Sequence, residues 1–306
     1  MKFSPMVKAY AWPSKSQRDY DGTKMLNYRF MRNNFTISTW LAMGALVQCL
    51  LAVCLPLRFA LLPAPMLLLC RVLKTLLMTA GLVKNDLADG VIRGKWTAQI
   101  PGPDGALPTL PSQNGVCLVM LAARSTQSLN LRYSFADLGL KNNSPLGTFS
   151  PGLQRVGAEL ERMRAALEKG KDDNGFLCQT TFLTANETYT GSQLMMLCYF
   201  RSADDAHAFA HGPLHREAWT WWYEITKSHP HLSIRHELYD VPPGRWENVF
   251  VNSPPTGIAG MSMPVRCEGG WTRPLFDASR LSMRTTKGRL GQSDGTDNEK
   301  YGPEPY

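Results

Sequence analysis

The hydrophobic positions of this chain fall into three regimes. Residues 37–57, ISTWLAMGALVQCLLAVCLPL, run for 21 residues without a charge. As a helix such a run reaches about 30 Å, the thickness of a bilayer core. A second run, FALLPAPMLLLCRVLKTLLMTAGLV (59–83), is broken early by Pro63 and Pro65 and interrupted by Arg71 and Lys74. It reads as a short spanning helix or as an amphipathic helix lying in the interface. The apolar pattern then dissolves over 84–115, which ends in the Pro/Gly-rich stretch PGPDGALPTLPSQNG and reads as a linker.

From residue 116 the period changes again. VCLVMLAARS (116–125) is a continuous apolar run, the mark of a buried strand. In 150–170, Leu153, Val156, Leu160, Met163 and Leu167 recur at helical spacing between Pro151 and Gly170. Strands are predicted at 175–185 and 192–202, a helix at 202–228 broken at Gly212-Pro213, a strand at 231–242 and a further one at 246–254. The order β-α-β-β-α-β predicts the ferredoxin-like split βαβ, an α+β fold with both helices on one face of a four-stranded antiparallel sheet. In the 194–200 strand both faces are apolar, Leu194, Met196, Cys198 and Phe200 against Met195, Leu197 and Tyr199. The second face therefore needs a cover, and a sheet from another subunit supplies it most simply, giving a dimeric α+β barrel or its equivalent with a related partner. From about residue 277 the sequence turns polar and predicts a disordered tail within a C-terminal region of 266–306. The expected organisation is a basic arm (1–36), a membrane-inserted helical hairpin (37–83), the linker (84–115), the α+β domain (116–265) and the tail.

Charge sharpens the membrane reading. Of the net +8, the first 36 residues hold +5, from seven Lys/Arg against Asp19 and Asp21. A basic segment beside an apolar run suits anionic lipid, whereas nucleic-acid binding asks for cations spread over a folded surface, so no nucleic-acid partner is expected. Lys84, Arg93 and Lys95 follow the second run and only Arg58 lies between the two, so both flanks are expected on the cytosolic side, with the endoplasmic reticulum as the membrane. The sequons at Asn34, Asn142 and Asn186 would then go unused. Seven scattered cysteines without a CxxC pair suggest free thiols rather than a disulfide framework.

The candidate chemistry is concentrated. All six histidines and three of the eight tryptophans lie in HAFAHGPLHREAWTWWYEITKSHPHLSIRHE (207–237). His207-x3-His211 and His229-Pro-His231 invite a metal reading, but no cysteine or carboxylate completes a ligand spacing, so no metal is expected. Haem leaves no signature when a single histidine ligates it, and no cofactor is expected. His215, Trp219 and Trp222 share a helical face, i, i+4, i+7. On the following strand His236 falls on the apolar face with Leu232, Ile234 and Leu238. His231, Ser233, Arg235, Glu237 and Tyr239 fall on the other, toward the second side of the sheet. His215, His236 and Glu237 are the candidates for proton transfer. Arg216 and Arg235 are candidates to stabilise an enolate or tetramate anion, and Trp219, Trp222, His231 and Tyr239 to shape a substrate site. No GxGxxG, P-loop, nucleophile elbow or HExxH pattern is present.

The blocks HGPLHREAW, HE-x-Y, WEN and PPTG, within AFAHGPLHREAWTWW and HPHLSIRHELYDVPPGRWENVFVNSPPTG, resemble a fungal and bacterial family of monooxygenase-like domains grouped with the dimeric α+β barrels. The resemblance covers about residues 85–265, and several fungal members carry an apolar hairpin before the domain. It implies that His211 to Arg216 and His236-Glu237 are signature positions. It further implies an accessory enzyme of polyketide or polyketide–peptide pathways. Some relatives oxidise activated aromatics without a cofactor, and others cyclise or dehydrate. The resulting expectation is a membrane-anchored tailoring enzyme acting on a hydrophobic intermediate. The competing one is a ring-closing enzyme, or a non-catalytic scaffold that pairs through its sheet with a pathway oxidase.

Overall fold

The computed structural model describes Met6 and residues 35–124, 140–141, 151–170, 173–184, 193–260, 265–267 and 270–298. The basic arm and the three sequons lie almost wholly outside these residues. In chain order the helices and strands of the first half are α1 (Ile37–Cys54), α2 (Leu57–Ala60), α3 (Pro63–Thr79), β1 (Ile92–Ala98), β2 (Val116–Arg124), β3 (Leu140–Lys141), α4 (Leu153–Lys169) and β4 (Phe176–Thr184). Then come β5 (Gln193–Phe200), α5 (Ala203–His211), α6 (Pro213–Ser228), β6 (Ser233–Val241), β7 (Phe250–Ser253), β8 (Val265–Cys267), β9 (Gly270–Thr272), β10 (Leu275–Asp277) and α7 (Thr286–Arg289). The protein is of mixed α+β class, with two apolar helical stretches ahead of the sheets.

Those stretches, Ile37–Cys54 and Leu57–Thr79, are long and apolar enough to cross a membrane. Thr36 caps α1 by accepting from the Thr39 N–H. Pro63 opens α3 at its first turn, where a missing N–H costs nothing, rather than breaking it. Their side chains face outward, with Val53 85% and Leu69 65% exposed. Gln48, a polar side chain within the first apolar run, donates to the Ala60 carbonyl at 2.7 Å.

The main sheet is antiparallel throughout. β2 lies between β5 and β6, and β5 also pairs with β4 and with the short β3. Helices α4, α5 and α6 cover one face. Val156, Leu160 and Leu167 of α4 bury against Cys117, Phe176, Met196, Cys198 and Phe200 of the strands, with Ala206 of α5 beside them. The hydrophobic effect makes this burial the main source of cohesion. The α5–α6 break falls where the Gly-Pro pair predicts: Gly212 leaves the helical conformation, caps α6, and Pro213 takes its first position.

The other face is closed at one end by the chain itself. A second antiparallel sheet, β10-β1-β7, brings Trp96, Ala98, Ile100 and Leu275 together with Trp246, Ile258 and Ala259 against Val116, Leu177 and Cys178 of the main sheet. The expectation that another subunit covers this face is corrected to that extent. Two further expectations fail for the same reason. The linker over 84–115 contains β1, and residues 96 to 100 are no more than 1% exposed. Their polar members are paired: Asn248 bonds the Thr97 hydroxyl and both backbone groups of Ala98, and Gln99 accepts from the Ser112 N–H. Hydrophobic alternation is blind to a strand whose polar side chains are buried with partners. The polar tail, up to Asn298, is likewise structured. Arg289, 5% exposed, reaches Glu247 at 2.6 Å and the carbonyls of Met283 and Arg284, locking the C-terminal turns onto this cap.

Candidate functional site

The pleat of β6 sorts the candidate residues into two groups. Ile234 and Leu238 pack into the helix-covered core, and His236, opposite Leu121 of β2, shares that face at its edge and is exposed. Arg235, Glu237 and Tyr239 point to the outer face, opposite Ala122, Met120 and Leu118. The next strand on that face adds Met195, Leu197 and Tyr199, and the one beyond it Cys178, Thr180 and Phe182. The turn Gly257–Gly260 and the second sheet close the Tyr199–Cys178 end, where the Cys178 thiol donates to the Gly257 carbonyl at 3.3 Å. A Cβ at Gly257 would lie 3.4 Å from the Tyr199 hydroxyl, in ordinary contact, but the φ of +56° favours glycine. Away from that end the face is half-open, with Phe182 43% and Tyr239 48% exposed.

In this open region a carboxylate and a phenol, both able to move a proton, are in contact. The Tyr239 hydroxyl donates to Glu237 Oε2 at 2.5 Å, and the carboxylate beside it raises the Tyr239 phenol above its ordinary value. Burial raises the Tyr199 phenol as well. Arg235 stands two residues before Glu237 on the same face. Its Nε and Nη2 are buried and have no hydrogen-bond partner among the described residues.

The helix side has a different character. His215, in the first turn of α6, is half-buried. Its ring meets Phe209 edge-on at 5.6 Å and stacks with Trp219 at 6.5 Å, and Tyr223 continues the series. Burial lowers the His215 pKa, and a hydrogen bond to the Ala210 backbone partly offsets this. His215 and Trp219 therefore come together as their spacing predicts. Trp222 instead contributes to the helix-covered core, and Arg216 is exposed. His215 and His236 lie near enough to influence each other, but the sheet separates both from Glu237. His231 departs from its expected place. It lies ahead of β6 rather than in the outer row, and its Nε2 is 3.0 Å from the Pro151 carbonyl at the start of α4. Strand parity does not extend past the strand's end.

The described thiols of the domain, Cys117, Cys178 and Cys198, are buried. Burial raises Cys117 to about 11 and Cys198 to about 12, and it raises Cys178 further still. Among the described residues no group of three or more His, Cys, Asp or Glu is placed to hold a metal ion. Two of the signature blocks, WEN and PPTG, prove architectural. Trp246 donates to the Asn114 carbonyl, Glu247 pairs with Arg289, Asn248 clips β1, and Gly257 seats the turn over Tyr199. Sequence reasoning missed Met120, Leu118 and Thr180 as members of the outer face, because a run apolar on both faces gives no sign of which face stays open.

Comparison with known proteins bears on this arrangement. Residues 136–258 match the model of a family described as monooxygenase af470-like. The protein Monooxygenase af470 of Aspergillus fumigatus is 30% identical over 293 residues, covering 94% of this chain and 98% of that protein. Among solved structures, a conserved protein of unknown function from Bacteroides thetaiotaomicron aligns with 42% of this chain and 98% of its own, at 11% identity and a TM-score of 0.25. Aldoxime dehydratase aligns with 69% and 49%, at 11% identity and a TM-score of 0.34. Both scores are below the level that indicates a shared fold.

Proposed function

The chain belongs to the monooxygenase af470-like family, and from that premise we propose a membrane-tethered oxygenase acting on a hydrophobic, polyketide-type intermediate at the outer face of the main sheet. The observation that carries the reading is the Glu237–Tyr239 pair on a half-open apolar face. An activated methylene and dioxygen give a carbonyl and water, so the substrate itself supplies the electrons and no resident cofactor is required. In this scheme Glu237 takes the proton whose loss generates the carbanion, with the Tyr239 hydroxyl stabilising the carboxylate and sharing the proton. Met120, Leu197 and Met195 provide the apolar floor.

Three further features support the wider reading. The strand order, with β2 flanked by β5 and β6 and with β4 beyond β5, is compatible with a ferredoxin-like split βαβ and supports that reading. Its open region is where a second sheet, from another copy or a related chain, would complete a dimeric barrel. The apolar helices, unburied by the protein, suit a bilayer, since so large an exposed apolar surface is not stable in water. With basic flanks on the cytosolic side, the domain would work beside the endoplasmic reticulum membrane, where hydrophobic substrates concentrate.

The test is oxygen uptake by the purified full chain in nanodiscs with activated aromatic and polyketide-like substrates. Glu237→Gln is expected to lower turnover at least about a hundredfold while His215→Ala combined with His236→Ala leaves it near wild type. The opposite pattern moves the chemistry to the helix side. Absence of oxygen uptake together with restored activity on adding a pathway oxidase favours the scaffold role.

A further inference from the structure

We infer that Arg235 anchors a ligand subsite on the outer face, for a hydrophobic molecule ending in a planar anion with two oxygens, a carboxylate or a 1,3-dicarbonyl enolate. The inference deepens the reading above by naming the substrate class. Three observations converge on it. Arg235 is placed by β6 pairing opposite position 122 of β2, with Met195 beyond it on β5 and Phe182 on β4. A permanent cation thus sits on an apolar sheet face. Its Nε and Nη2 are out of contact with solvent and unpartnered among the described residues. Leaving donors of a charged group in this condition is costly. These two nitrogens form one edge of the guanidinium, and their N–H bonds run side by side. That edge matches two coplanar acceptor oxygens, the geometry of bidentate recognition.

Glu237 does not fill the role. It shares the face, but its carboxylate is engaged by the Tyr239 hydroxyl, and no ion pair joins it to Arg235 among the described residues. The result is an ordered pair of functions, a cation that fixes the anionic end of a ligand and, one pleat along, a carboxylate placed to take a proton from an activated carbon further along the ligand. Arg216 offers no equivalent site, because it is exposed on α6.

The experiment compares three probes of similar chain length on the full chain in phosphatidylcholine nanodiscs, with empty discs as the blank. The probes are decanoate, the enolate of 2-octanoylcyclohexane-1,3-dione, and neutral decanol, read by calorimetry at neutral pH. At least one anion is expected to bind about tenfold or more tighter than decanol. A preference for decanoate identifies a carboxylate ligand, and a preference for the triketone identifies an enolate. Arg235→Met is expected to bring the preferred anion down to the level of decanol. Arg235→Lys, which keeps the charge and loses the edge, is expected to retain only part of the preference. Equal binding of all three probes to the wild type overturns the inference even if Arg235→Met fails to fold, as does an anion preference that survives Arg235→Met or is fully kept in Arg235→Lys. Binding and turnover separate the two readings. Anion preference without oxygen uptake defeats the oxygenase reading alone, and oxygen uptake without anion preference defeats this one alone.

Discussion

In β2 and β5 both faces of the main sheet are apolar in sequence, and the two faces differ in what they meet. One face meets helices α4 to α6 along most of its length. The other meets the chain's own cap at one end and is half-open over the rest. The helix-covered face holds groups whose work is cohesion: Phe176 and Phe200 in edge contact at 5.5 Å, protonated thiols, and α4 side chains at regular spacing. The outer face holds the features that packing does not explain, the Glu237–Tyr239 contact and the unpartnered edge of Arg235. On the proposed reading function collects where the sheet is incompletely covered, because there a ligand can complete the burial that the protein does not.

The comparison is broken most severely if the cap is dispensable. Trp96 is fully buried and stacked on Phe250 at 4.3 Å. Trp96→Ala is expected to cost about 3–5 kcal/mol in chemical denaturation, the scale of a core aromatic truncation. A much smaller loss would mean that the cap folds independently of the sheet. Next in size is Arg289→Met, which leaves Glu247 without its cation and takes a donor from the Met283 carbonyl and the Thr286 hydroxyl, while the Arg284 carbonyl keeps Lys95. A loss of about 1.5–3 kcal/mol is expected, as for hydrogen bonds to charged groups. Tyr239→Phe removes a hydroxyl from an exposed strand position, so stability should change by no more than about 0.5 kcal/mol while turnover falls. Equal loss of stability and turnover would place Tyr239 with the structural residues of the opposite face.

The smallest expected effect concerns His215. Burial holds its folded pKa below the ordinary value of about 6.5. The unfolded chain therefore binds more protons between the two values, so stability is full above about pH 6.5 and declines as pH falls through the folded value. A pH series of melting temperatures should show this decline, and His215→Gln should flatten it. A decline unchanged in the variant would assign it to other groups.

Much of this architecture is legible in the residues. The apolar helices, the α4 period, the strands at 176–184, 193–200 and 233–241, and the Gly212-Pro213 break all follow from local rules. So does the parity that separates His236 from Glu237, since successive side chains on a strand must point to opposite faces. What was not legible is long-range. Trp96 and Arg289 are buried by partners 154 and 42 positions away, Phe250 and Glu247 respectively, and the polar residues around them look like loop until those partners arrive.

The sequence by itself therefore determines the local elements and their order along the chain, because helix and strand periods are written within a few residues of one another. Only the tertiary structure decides which apolar face is covered and which is left partly open, because burial depends on what returns from distant regions of the chain. His231 shows the same division: its parity placed it in the outer row, and one carbonyl from Pro151 holds it elsewhere.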